Sequence, residues 1–354
     1  MHISVSFRIL GILLMLFSST MLIPLGFALV AWDNTIAGFV SALAITFCSG
    51  LLLWLPVRGV SHELRIRDGF LITSLFWSVL GLFGALPFAL TDALDLSHTE
   101  AVFESISGLT TTGATVIVGL DDLPRSILFY RQLLQWLGGI GIIVVAVAVL
   151  PMLGIGGMQL YKAETPGPSK DSKLTPRITE TAKALATVYV SLTAACAIAY
   201  YLAGMSEFDA LSHALSTVAI GGFSTHDASM GYFENENVLL VCSLFMCISA
   251  VNFGLHFLAW RRRSPKVYRK DSETRFFYSV LLVCIVITCV YLMLTDTLEP
   301  GESLVHGIFQ AISITTTTGF ATQNFAAWPS FLPVMLLFFS FMGGCVGSTG
   351  GGIK

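Results

Sequence analysis

The stretch FESISGLTTTGAT, from Phe103 to Thr115, recurs in outline as SHALSTVAIGGFST from Ser212 and as FQAISITTTTGFAT from Phe309. In each copy a serine stands six residues before a glycine: Ser107 and Gly113, Ser216 and Gly222, Ser313 and Gly319. Each copy is also preceded and followed by a long apolar run. One such segment could be a small-residue contact between membrane helices. Three aligned copies in the same context mark a duplicated unit.

The surroundings of these copies set the fold class. The 354 residues are 55% hydrophobic and 12% charged, with a mean hydropathy of +0.78, too apolar for a globule that must cover itself with charge. Apolar runs of about 20 residues, enough to cross the hydrocarbon as a helix, occur near Ile9–Trp32, Ile36–Val57, Phe70–Leu90, Ser126–Tyr161, Ala182–Ala203, Val238–Trp260, Phe276–Leu294 and from Phe331 onward. About eight spans are expected. The first has no small-residue cleavage site behind it and reads as a retained span. Seventeen of the nineteen Lys and Arg residues fall on one side of this topology, with Arg125 and Arg131 opposite. The positive-inside rule puts that side, and the N-terminus, in the cytoplasm. The other face carries acids such as Asp92, Asp95, Glu100, Glu104, Asp209 and Glu302, which would concentrate cations there. The seven cysteines lie in apolar stretches and suggest packing residues, with no disulfide framework.

The expectation is an all-α membrane protein of repeated units, each a span, a re-entrant loop and a span, after a two-span N-terminal segment. The boundaries expected are 1–68 for the two-span segment, 69–162 for the first repeat, 163–262 for the second and 263–354 for the third. Cytoplasmic linkers fall at 58–68, 162–181 and 261–275. The second carries three prolines, and the third, RRRSPKVYRKDSETR, is basic enough to touch anionic lipid heads or an acidic partner. The repeated segments are too short to cross a bilayer, so each reads as a half-crossing helix with a return strand. Non-helical backbone at that depth must be buried in protein or line a wet cavity.

That placement suits a dehydrated cation, for which a ring of backbone carbonyls replaces the hydration shell. Glycine reaches the needed dihedrals at little cost, and the preceding helix aims its partially negative end at the same spot. The candidate cation ligands are Thr111, Thr112 and Gly113; Ile220, Gly221 and Gly222; and Thr317, Thr318 and Gly319. The second copy lacks threonine, so side-chain oxygens cannot be the common denominator. Two other features stand out. The run Gly343, Gly344, Cys345, Val346, Gly347, Ser348, Thr349, Gly350, Gly351, Gly352 cannot hold a regular helix, since each interior glycine costs about 1 kcal/mol. Close packing through Gly343 and Gly347 is the other reading. Asn252 with His256, and Arg131 with Gln132 and Gln135, are candidates for the pore wall or vestibule, with interhelical hydrogen bonding as the alternative.

The segments TTTGAT, IGGFST and TTTTGFAT, the linker LYKAETPGPSKDSKLTPRI and the closing GGCVGSTGGGIK together resemble the TrkH membrane subunits of bacterial Trk potassium uptake systems, within the Trk/Ktr/HKT superfamily. The resemblance covers the entire chain. It implies a potassium-channel-like pore of pseudo-fourfold symmetry in the bacterial inner membrane, with potassium as the transported ion, no organic cofactor in this subunit and no nucleic-acid partner. It also implies a homodimer and a cytosolic TrkA-type regulatory ring that binds NAD and ATP. In the family the glycine run matches an intramembrane gate under the filter, here Gly343, Gly344, Gly347, Gly350, Gly351 and Gly352, with Lys354 just beyond. The family pattern has four repeats and three are found, so the expectation is a truncated version of a longer transporter that is not a competent pore alone.

Two alternatives differ in kind. One is a non-conducting product that still inserts in the membrane. The other is a polytopic lipid-modifying enzyme, for which Asp121 and Asp122 are the only close acidic pair, on the outer side beside Pro124 and without a second cluster to share a metal. The expectation is a transporter that does no covalent chemistry.

Overall fold

The computed structural model describes residues 3–59, 66–149, 178–329 and 331–353, and among them every regular element is a helix. The linker expected at 162–181 lies outside the described residues up to the helix start at Ile178, as do Arg65 and Lys354. The chain divides into two compact units, Met1–Glu164 and Thr165–Lys354.

In the first unit, α1 (Ile3–Thr20) and α2 (Leu22–Ala31) make one broken span, and α3 (Ile36–Trp54) is the next. The break follows from chemistry: the hydroxyls of Ser18, Ser19 and Thr20 each turn back to the carbonyl three residues earlier, at 2.6–2.7 Å, competing with the helix ladder. Next come α4 (Ile66–Gly84), the single turn α5 (Leu86–Ala89), α6 (His98–Leu109) and α7 (Arg125–Val149). α6 packs against both α4 and α7. The fully buried ring of Tyr130 meets Phe39 edge-on at 5.5 Å and Phe88 at 5.1 Å, while its hydroxyl donates to the Gly84 carbonyl at 2.9 Å.

The second unit runs α8 (Ile178–Ala203), α9 (Glu207–Val218), α10 (Glu236–Ser249), α11 (Phe253–Arg262), α12 (Lys266–Lys270), α13 (Ser272–Leu294), α14 (Pro300–Thr315) and α15 (Phe331–Ser340). α9 packs on α8, and α14 on α13. Leu292, Ala311, Trp328, Leu332 and Leu336 form a buried core for α13, α14 and α15. The order long helix, short pore-loop helix, further helix thus occurs once in the first unit and twice in the second, closed by α7, by the bent pair α10 and α11, and by the 10-residue α15. The short helices, of 12, 12 and 16 residues, reach only about 18–24 Å at 1.5 Å per residue. Each has a start signal: a capping box between Ser97 and Glu100, Ser206 accepting from the Asp209 amide, and Pro300 in the first turn.

Eight spans are expected over the whole chain, and one of them, Ser126–Tyr161, runs past the described residues. Among the described residues five helices are long and apolar enough to cross, or six if a bent pair is one span. That pair is α10 and α11, bent by 93°, where the sequence reads as one span over Val238–Trp260. The last run, from Phe331, is helical for only 10 residues, because the glycines beyond it cannot continue it.

Helix α1 meets α3 at two glycines. A Cβ on Gly50 would stand 2.8 Å from the Gly11 carbonyl oxygen, and one on Gly11 would stand 2.6 Å from that of Gly50. Gly50→Val is therefore expected to lower stability by roughly 1–3 kcal/mol through overpacking, read as thermal unfolding in detergent. Gly26→Val, with nothing within 4 Å of a Cβ there, should leave the transition close to that of the parent protein.

Candidate functional site

The three loops have one backbone. At the end of α6 the amide of Thr111 donates to the Gly108 carbonyl at 3.0 Å and that of Thr112 to the Ser107 carbonyl at 2.9 Å. The same pair recurs after α9, from Ile220 to Thr217 at 3.1 Å and from Gly221 to Ser216 at 2.9 Å, and after α14, from Thr317 to Ile314 at 3.0 Å and from Thr318 to Ser313 at 2.8 Å. This is the Schellman termination, which wants a left-handed residue just past the helix, usually glycine. Here that residue is β-branched in all three: Thr111 (φ 55°), Ile220 (φ 53°) and Thr317 (φ 67°). Two residues on, Gly113 (φ 77°), Gly222 (φ 79°) and Gly319 (φ 87°) are left-handed again. A regular strand sends successive carbonyls to opposite sides. Alternation between left-handed and ordinary residues lets them point the same way.

The repeat serine closes the loop. Its carbonyl takes the Schellman bond, and its hydroxyl donates to the carbonyl just past the glycine: Ser107 to Ala114 at 2.5 Å and Ser313 to Phe320 at 2.6 Å. Threonines flanking the left-handed residue pair through their hydroxyls, Thr110 with Thr112 and Thr316 with Thr318, each at 2.7 Å. Gly138 of α7 lets the span behind α6 come into backbone contact, for a Cβ there would lie 1.8 Å from the Leu109 carbonyl oxygen. In the second unit the two loops abut: a Cβ on Gly222 would stand 2.0 Å from the Thr318 carbonyl oxygen, and the Gly231 amide donates to the Ala321 carbonyl at 3.1 Å.

A further position, missed in the sequence, recurs nine residues before each glycine. Glu104, His213 and Gln310 are all fully buried, and each reaches the return strand by different chemistry. Glu104 accepts from the Thr115 hydroxyl at 2.9 Å and the Val116 amide at 3.1 Å, and it pairs with Arg131 Nε at 2.8 Å. Arg131 also donates from Nη2 to Thr115 Oγ1 at 2.9 Å. Glu104 is therefore no solvated outer acid, and Arg131 is no wall residue: interhelical bonding is the reading that fits. His213 donates from Nδ1 to the Asp209 carbonyl and accepts at Nε2 from Ser224 Oγ, both at 2.9 Å. With Nδ1 donating to a carbonyl and Nε2 accepting, the ring stands in its neutral form. Asp209 accepts from the Ser206 hydroxyl at 2.7 Å and the Thr225 hydroxyl at 2.8 Å, with His226 Nε2 3.5 Å from Oδ1. Gln310 Nε2 lies 3.5 Å from the Phe320 carbonyl, and one turn earlier His306 Nδ1 meets Thr322 Oγ1 at 2.9 Å. The shared offset from the glycine was the available signal.

The glycine run folds back on itself and docks on the two loops of the second unit. Gly344 donates to the Gly351 carbonyl at 3.2 Å and Ile353 to that of Phe341 at 2.7 Å. Gly343 (φ 61°) has no room for a side chain, since a Cβ would stand 1.9 Å from the Gly351 carbonyl oxygen. Gly347 (φ 78°) and Gly352 (φ 106°) are left-handed as well. The Gly351 amide donates to Thr317 Oγ1 and Thr349 Oγ1 donates to the Val218 carbonyl, both at 2.8 Å. A Cβ on Gly350 would lie 3.2 Å from the Thr316 carbonyl oxygen. This segment thus touches the ends of both α9 and α14.

The break between α10 and α11 supplies the rest of the seat. Asn252 caps α11, accepting from the Gly254 amide at 2.7 Å, so Asn252 and His256 do not share the face of one continuous helix. Three of the carbonyls freed at the break are engaged: Cys247 by the Tyr278 hydroxyl at 3.2 Å, Ile248 by His256 Nε2 at 2.9 Å, and Ala250 by the Cys345 amide at 2.8 Å. Phe253 in turn donates to the Gly347 carbonyl at 3.0 Å. His256 is satisfied within the protein, as the hydrogen-bonding alternative has it.

Comparison with known proteins agrees with this geometry. Residues 35–354 match the family model described as TrkH: Cation transport protein. The Trk system potassium uptake protein TrkH of Halomonas elongata is 58% identical over 354 residues, covering 100% of this chain and 73% of the relative. That of Escherichia coli K12 is 52% identical over 355 residues, covering 100% and 74%. The crystal structure of the potassium transporter TrkH from Vibrio parahaemolyticus superposes with a TM-score of 0.89 at 52% identity, covering 99% of this chain and 72% of that one.

The buried ion pair yields a stability test. Glu104→Gln leaves the Arg131 guanidinium charged and unmatched in the interior, which should cost about 3–5 kcal/mol, read as a lowered unfolding midpoint. Removing both charges in Glu104→Gln/Arg131→Met should recover most of that loss.

Proposed function

Because this chain belongs to the TrkH family of cation transport proteins, we propose that it is the pore subunit of a Trk-type system and carries potassium into the cell down the electrical gradient. The filter is formed by Thr111, Thr112 and Gly113, by Ile220, Gly221 and Gly222, and by Thr317, Thr318 and Gly319. The observation that carries this reading is the repeated backbone: a short helix, a left-handed β-branched residue and a left-handed glycine two residues later, three times over. Such a stretch offers main-chain oxygens to a dehydrated ion, and the helix before it adds a partial negative charge from its C-terminal end. Ile220 and Gly221 bring no hydroxyl, so the carbonyls are the shared ligands. An inside-negative potential supplies about 2.3 kcal/mol per charge for each 100 mV, sufficient to accumulate the ion with no covalent step.

On the same reading the chain has a two-span segment to residue 68 and repeats at 69–162, 163–262 and 263–354. Its N-terminus and basic linkers lie in the cytoplasm, it pairs with a second copy, and a TrkA-type regulatory ring binds below. Gly343, Gly344, Gly347 and Gly350–Gly352 act as the gate. The bonds of Gly351 to Thr317 and of Thr349 to Val218 support that role, because they tether the glycine segment to two of the proposed filter loops.

Uptake tests the proposal. A chimera in which this chain replaces the matching 72% of the Vibrio protein, expressed in a bacterium without its own potassium uptake, should restore growth at low potassium and accumulate rubidium tracer. A chimera that reaches the membrane without carrying either ion would overturn the function. Within it, Gly113→Ser should reduce the preference for potassium over sodium several-fold, and an unchanged ratio would remove Gly113 from the filter. Deleting Gly350–Gly352 should raise the rate of uptake. A folded but silent deletion would count against the gate.

A further inference from the structure

A cavity of about 760 Å³ opens in the second unit beside the break between α10 and α11, with walls that include Val188, Leu192, Ile248, Trp260, Tyr268 and Tyr278. Its main polar groups are spent on the protein. His256 bonds Tyr268 Oη at 2.9 Å with one nitrogen and the Ile248 carbonyl at 2.9 Å with the other, and the Tyr278 hydroxyl donates to the Cys247 carbonyl at 3.2 Å. What remains for a guest is apolar side chain and aromatic ring. Hydrocarbon fits that lining, and a polar solute does not.

The rim is charged. Trp260, 60% exposed, is followed directly by Arg261–Arg263, and Tyr268 by Arg269 and Lys270. Arg262, Arg263, Lys266, Arg269 and Lys270 are all exposed. Residues 261–275 hold seven basic side chains against two acidic ones. Both acids are turned to backbone amides: Asp271 caps α13 by accepting from Thr274 at 2.7 Å, and Glu273 accepts from Val346 at 2.6 Å. The rim therefore keeps a net positive field, with an amphipathic indole at the boundary between charge and hydrocarbon, where tryptophan is favoured.

We propose that this cavity is a site for an anionic phospholipid, with an acyl chain against Leu192, Ile248 and Tyr278 and the headgroup phosphate among Arg262, Arg263, Lys266 and Arg269. An acidic protein segment would also meet the charges but would leave the adjoining apolar volume unfilled. The lipid satisfies both halves. The cavity wall includes Ile248 and Val251, the near neighbours of Ala250, whose carbonyl holds the Cys345 amide of the glycine segment. A bound chain would stiffen the backbone on which that segment rests.

The test uses the whole chain in bilayers doped with brominated phosphatidylglycerol or brominated phosphatidylcholine, with tryptophan emission as the readout and Trp260→Phe identifying the Trp260 contribution. Trp260 should be quenched at severalfold lower mole fraction by the anionic lipid. Each basic side chain near an anionic surface contributes about fivefold to binding, so Arg262→Gln/Arg269→Gln should erase most of the preference while Arg262→Lys/Arg269→Lys retains it. Raising the ionic strength should weaken the preference in the unaltered chain, a measurement that needs no variant. Equal quenching by the two lipids would reduce the site to ordinary annular contact. Absence of quenching would mean that protein covers the cavity, and a preference that survives loss of both arginines would detach it from the rim. Each of these outcomes overturns the proposal.

Discussion

The constraint on which the rest depends is a left-handed β-branched residue at the end of each short helix. A side chain branched at Cβ is strained there by about 1–3 kcal/mol, and an isolated peptide would relax out of it. The conformation persists because the surroundings over-determine it. The repeat serine accepts the Schellman bond on its carbonyl and, at Ser107 and Ser313, clamps the far side of the glycine with its hydroxyl. The return strand is then held by the residue nine before the glycine. Glycine holds the second left-handed position in all three loops, and at Gly222 a close neighbour, the Thr318 carbonyl, demands it as well.

The three loops reach one backbone by three kinds of chemistry. An ion pair braces the first, a neutral imidazole and a carboxylate the second, an amide and an imidazole the third. A buried ion pair is strongly directional but leaves a heavy penalty if one member is lost, whereas the neutral braces fail more gently. Divergence after duplication has thus kept the geometry of the chain path and let the supporting side chains differ. The missing hydroxyl at Ile220 belongs to the same pattern, since it alters the side chain and leaves φ at 53°.

Much of this was legible in the sequence, and the reasons differ by feature. Span positions and the duplicated loops were visible because apolar length and the spacing from serine to glycine are local properties. The end of α15 was visible because consecutive glycines cannot stay helical. The break after α10 was not, since Ser249, Ala250 and Val251 continue an apolar run with no proline or glycine to interrupt it. It exists because Asn252 starts a new helix and because Tyr278 and Cys345, distant in sequence, take up the released carbonyls. The pairing of Glu104 with Arg131 spans 27 residues and joins two elements whose contact only the fold decides. Charge position alone suggested an outer acid and left Arg131 between vestibule wall and interhelical bond; burial reverses the first and selects the interhelical bond for the second.

The broken helix pair carries one more implication. The carbonyl of Ala250 can close a regular turn with an amide further along its own helix, or it can receive the Cys345 amide, but a straight α10 running on through Val251 and Asn252 would claim it for the first purpose. At the bend that acceptor serves the glycine segment, and the Gly254 amide it would otherwise meet turns to Asn252 Oδ1. A bend of 93° thus turns a backbone oxygen that helix continuity would consume into an anchor for a distant segment.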